Sequence, residues 1–141
     1  MKENNYLQAV SLTKMWNTFS TESISDFIAE DIIYNPFGLN FSIQGKENYL
    51  SYIEQSIKTL KVTFEVLEFT FSCQLVQIDG FKDEYFILLK TSSKNSNVVV
   101  TDILDVDFLE KVLVKDGLIN NIEFMSAFTD GIEKSMTICQ M

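Results

Sequence analysis

The chain has 141 residues, 46% of them hydrophobic, with 11 basic against 20 acidic side chains, no histidine and a formal net charge of −9. That length suffices for one ordinary core and is short for two, so a single domain spanning 1–141 is expected. All 11 basic residues are lysines, which removes imidazole bases, Ser-His-Asp and Cys-His schemes and bidentate guanidinium clamps, while the acidic balance disfavours nucleic acid and anionic membranes as partners.

The first predicted element is a helix over about 4 to 19, whose Ala9, Leu12, Met15, Trp16 and Phe19 fall on one face. Ser20-Thr21-Glu22-Ser23 can cap a second short helix carrying Ile24, Phe27 and Ile28, closed by Glu30-Asp31. A short strand, Ile32-Ile33-Tyr34, runs into Asn35-Pro36-Phe37-Gly38, where proline and glycine mark a tight turn. After a second extended piece, Gly45-Lys46 opens a third helix with Tyr49, Leu50, Ile53, Ile57 and Leu60 at helical spacing. Beyond it the pattern is that of strands. Val62, Phe64 and Val66 are even whereas Phe69, Phe71, Cys73 and Leu75 are odd, a slip near Leu67 that a β-bulge would absorb. Asp79-Gly80, Lys94-Asn95-Ser96-Asn97 and Asp116-Gly117 then separate three further strands, over Tyr85 to Thr91, Val98 to Val114 and Leu118 to Thr129. Helices first and an antiparallel meander after them make an α+β domain.

The strand ending at Val114 holds the most informative residue. Its even positions include Val106, Phe108, Glu110, Val112 and Val114, whereas Thr101, Asp105, Asp107, Lys111 and Lys115 punctuate the odd side. Side chains alternate between faces, so Glu110 is expected to point inward on an apolar face. Two outcomes are open: burial without a cation, which pushes its pKa up, or a place at the rim beside a lysine. Asp102 shares the face, but eight residues of strand span roughly 27 Å, too far for a catalytic pair.

Cys73 and Cys139 lack CxxC spacing and metal-ligating companions, so no metal and no cofactor are expected, and Cys73 reads as core. The polar start, Met1-Lys2-Glu3-Asn4-Asn5, has no signal-like apolar segment, and no run is long enough to span a bilayer. A cytoplasmic protein is the expectation.

The two opening helices, Ile33-Tyr34-Asn35-Pro36-Phe37-Gly38, the helix beginning at Gly45-Lys46 and the stretch Glu110-Lys111-Val112-Leu113-Val114-Lys115-Asp116-Gly117-Leu118-Ile119 together resemble the nuclear transport factor 2-like superfamily. Within it, the likeness is to the SnoaL-like polyketide cyclases and the ketosteroid isomerases. It covers nearly the whole chain and implies a cone-shaped fold, helices packed on a curved antiparallel sheet, and a homodimer. In the isomerases an aspartate base stands beside the proline turn, and a first-helix tyrosine with a protonated strand carboxyl forms the oxyanion hole. The matching positions here hold Asn35, Ser11 and Glu110. An amide takes no proton at neutral pH. The arginine and histidine on which related hydrolases and dehydratases depend are absent.

What remains is a pocket for a small apolar or weakly polar molecule, with Glu110, Ser11, Asn35 and Tyr52 as polar points and Met15, Phe108 and Ile122 on the wall. Glu110 is the candidate acid if an isomerase, cyclase or hydratase activity exists. Each polar point has a plainer alternative: Ser11 as a small helix residue, Asn35 as a turn former, Tyr52 as a half-buried ring with a wet hydroxyl. Twelve phenylalanines leave a second class open, a filled cone that serves association through an outer face bearing Ile103, Leu109 and Leu113.

Overall fold

The computed structural model describes residues 2–36, 40–67, 69–78, 80–81, 84–93, 107–128 and 136–139. Helix α1 (Lys2–Thr18) is followed by a single 3-10 turn (Ser25–Phe27), then β1 (Ile28–Asn35), β2 (Ile43–Gln44), α2 (Lys46–Leu67), β3 (Phe69–Ile78), β4 (Tyr85–Ser93), β5 (Asp107–Lys115), β6 (Leu118–Phe128) and β7 (Met136–Ile138). The strands form one mixed sheet in the order β2-β1-β6-β5-β4-β3-β7, parallel between β1 and β6 and antiparallel elsewhere. Both helices pack on its concave face, as the expected α+β cone requires.

Helix α1 forms where its apolar stripe falls: Ala9, Leu12, Met15 and Trp16 are all buried. It ends with Phe19 at a left-handed φ of 52° and the Ser20 amide donating to the Met15 carbonyl, which satisfies an otherwise orphaned helix end. Two side chains then fix how it crosses the sheet. The Gln8 amide donates to the Gly117 carbonyl at 2.7 Å, and Asn17 both donates to the Cys73 carbonyl and accepts from the Cys73 amide at 2.8 Å. Asn17 thus acts as one residue of an extra strand along β3, and β7 pairs further along the same edge at Val76 to Ile78. An edge covered in this way offers fewer open donors and acceptors to another chain.

Two expectations change. The second helix shrinks to Ser25–Phe27 because Ile28 already pairs with Ile119 of β6, and branched isoleucines at 28, 32 and 33 suit a strand better than a helix. The slip near Leu67 is a change of element: α2 continues to Leu67, Val62 and Val66 stand 61% and 73% exposed, and Phe64 is buried against Phe71. Ile53, Ile57, Leu60 and Phe64 continue one helical face, which the alternation of valines concealed. The tail pairs with β3 through 136–138, and the Cys139 amide donates to the Leu75 carbonyl; Gln140 and Met141 lie outside the described residues.

Bulges do occur, on β6. The register shifts between Leu109 and Glu110, across from Met125, and again between Leu113 and Val114, across from Asn120. Each extra residue bends and twists the strand, so the sheet curves where Glu110 sits. The Asp116-Gly117 turn closes this hairpin as expected, with φ of 55° and 81° at its two central residues, the signature of the type I′ connection.

On the convex side Leu109 joins Val76, Phe86 and Leu88 in a second cluster and is only 3% exposed. It is already covered within the chain, so it is no free contact for a second copy. Residues 98–106, with Asp102 and Ile103, lie outside the described residues, as do Phe37, Gly38 and Thr129. Among those described, no helix is long and apolar enough to cross a membrane.

Candidate functional site

Glu110 sits mid-strand on β5, paired with Ile87 of β4 and Phe124 of β6. Alternation along β5 turns it to the concave face with Phe108 and Val112, and it is 4% exposed. Burial raises its pKa to about 7, opposed by a hydrogen bond that the Tyr34 hydroxyl donates to Oε2 at 3.2 Å. Tyr34 reaches it because β1 lies beside β6 and β6 beside β5. Its ring meets Tyr49 edge-on at 5.3 Å and 89°, and Tyr52 at 5.9 Å and 60°, both from α2. Burial, and next the neighbouring Glu110 charge, hold the Tyr34 and Tyr49 hydroxyls above the usual phenol range. The Cys73 thiol is raised by the same two causes, so it is an inert core group.

An open cavity of about 380 Å³ lies against this cluster. Glu110 and Tyr34 form its floor, and Trp16, Tyr52, Leu89 and Phe108 give it a mainly apolar wall. Gln55 and Thr59, exposed on α2, edge its mouth. Glu110 is the only carboxyl among the described lining residues. Poised near neutrality, it can donate a hydrogen bond when protonated or accept a cation when ionised. No group of three His, Cys, Asp or Glu side chains that could hold a metal forms among the described residues.

No protein-family model matches the chain, and no curated protein does. Solved structures do resemble it. RV0760c from Mycobacterium tuberculosis, in complex with estradiol-17beta-hemisuccinate, is 17% identical with a TM-score of 0.55 over 95% of this chain and 98% of that one. An NTF2-like protein of unknown function from Cytophaga hutchinsonii is 13% identical with a TM-score of 0.53, over 86% and 88%. The chain has the NTF2-like fold. A de novo designed protein with a curved β-sheet, 16% identical with a TM-score of 0.55 over 84% of each chain, shares that architecture too, and a fold by itself does not assign a function.

Of the residues singled out from sequence, this NTF2-like cone brings Glu110, Tyr52 and Phe108 to the cavity. The others stand apart from it. Met15 and Ile122 are buried in the core between α1 and the sheet. Ser11 is half-buried on α1, where its carbonyl accepts from the Ser23 hydroxyl. Asn35 ends β1 on the side opposite Tyr34, and its amide oxygen accepts from the Ser42 hydroxyl. The residue that faces Glu110 is thus Tyr34, one position earlier. Sequence reasoning missed it, together with Trp16, Gln55, Ser56 and Thr59. Two signals were present: Tyr34 shares strand parity with buried Ile28 and Ile32, and 52, 55/56 and 59/60 form a second helical stripe beside the core stripe of α2.

Proposed function

We propose that this chain binds a small, mainly apolar molecule in the cone cavity, anchored at the floor by Glu110 and Tyr34. The observation that carries the reading is the combination of about 380 Å³ of space, an apolar wall and one buried acid hydrogen-bonded to a tyrosine; pockets for small molecules have this size and this sparse polarity. The steroid derivative in complex with the M. tuberculosis protein of the same fold supports it. The proposal includes a homodimer in a cytoplasmic setting. Sedimentation tests the dimer.

Trp16 lines the cavity and is the single tryptophan of the chain, so its fluorescence reports occupancy directly. Titration with estradiol is expected to give a saturable change that Ser56→Phe, which fills the cavity from the α2 side, removes. An unsaturable response, or one that survives Ser56→Phe, contradicts binding there. Turnover of an enolisable ketone that Glu110→Gln abolishes would replace this reading with an isomerase-type one.

A further inference from the structure

We propose that the molecule taken by this cavity is an organic ammonium ion, its charge paired with Glu110 and its substituents seated among Trp16, Tyr34, Tyr52 and Phe108. The inference rests on the ligand-binding reading above and names the class of ligand.

A carboxylate withdrawn from water is costly unless a cation or several hydrogen bonds compensate it. Among the described residues Tyr34 donates a hydrogen bond to Glu110, at Oε2 and 3.2 Å. No lysine stands among the described lining residues, so none of those residues supplies a counter-ion to the acid. Four aromatic rings share that space, and the electron-rich face of an aromatic ring attracts a cation, more strongly where water is excluded. In its ionised form the acid, together with the rings, is complementary to a positive charge with apolar substituents. A ligand bearing its own carboxylate would set two negative charges together, and a neutral hydrocarbon would leave the acid without a partner. Beyond the cavity, a formal net charge of −9 with neither arginine nor histidine draws cations toward the chain and repels anions.

The test compares two probes of one shape, protonated N,N-dimethylbenzylamine and its uncharged isostere isobutylbenzene, each titrated against Trp16 fluorescence at neutral pH. The ammonium is expected to bind at least tenfold more tightly, and Glu110→Gln to bring the two within about threefold of one another. Tyr52→Leu, at a half-buried position, is expected to lower the ratio as well. Equal binding, or a preference for the isostere, overturns the ammonium assignment and leaves the ligand-binding reading standing. No response to either probe overturns both. A preference that persists undiminished in Glu110→Gln overturns the role given to Glu110, and the wild-type ratio decides the ligand class even if that variant does not fold.

Discussion

Glu110→Gln should make the protein more stable at alkaline pH, an unusual outcome for a substitution in a buried site. Glutamine keeps the shape and an oxygen that accepts from Tyr34, but it never ionises. In the wild type, burial raises the pKa of Glu110 from 4.5 to about 7. The folded state therefore holds more protons than the unfolded state between these values, and stability falls as pH rises through that window. The contribution is fully present below about 4.5 and lost above about 7. At about 1.4 kcal/mol for each tenfold change in proton affinity, the loss is about 3 kcal/mol by pH 8, or roughly 10 °C in Tm for a domain of this size. Urea denaturation of both proteins at pH 5 and pH 8 isolates this effect, because every other titrating group is common to the pair. The advantage of the glutamine variant should grow by about 2.5 kcal/mol between the two pH values, because part of the effect has already set in at pH 5. A difference that stays constant would mean that Glu110 ionises in the folded protein as readily as in water, and the buried floor of the cavity would have to be abandoned.

Tyr34→Phe removes the hydrogen bond that lowers the Glu110 pKa, so that value should climb further above 7; carbon-detected NMR titration of the side chain reads it, and a fall would contradict the pairing. Asn17→Ala deletes both hydrogen bonds to the Cys73 backbone and should cost about 2 kcal/mol in chemical denaturation, with faster amide exchange at Cys73. Gly117→Ala forces a side chain onto a φ of +81° and should cost about 1–2 kcal/mol, whereas Asp116→Gly, at the neighbouring φ of +55°, should be close to neutral or slightly stabilising.

Elements governed by local period were legible in the sequence. The stripe from Ala9 to Trp16, the Asp116-Gly117 turn and the alternation from Phe108 to Val114 needed no distant partner to be read. Where two periods competed, the reading failed. Val62, Phe64 and Val66 alternate like a strand, yet Phe64 also continues the Ile53, Ile57, Leu60 helical face, and its packing on Phe71 decides for the helix. The segment from Ser20 to Asp31 reads as a capped helix, yet pairing with β6 draws Ile28 into a strand. At the site, Glu110 is legible because its own strand reveals its face, whereas Tyr34 is not, because a resemblance in spacing that points to Asn35 says nothing about which side of β1 a residue takes.

The sequence by itself determined that an acid lies on an apolar strand face in a chain without guanidinium or imidazole, because alternation and composition are properties of the chain read locally. Only the tertiary structure decided that Tyr34 meets this acid, that Trp16, Leu89 and the α2 stripe enclose space beside it, and that its pKa rises. Those depend on the parallel placing of β1 beside β6 and on the bulged curvature of β6, contacts between distant segments that no local period records.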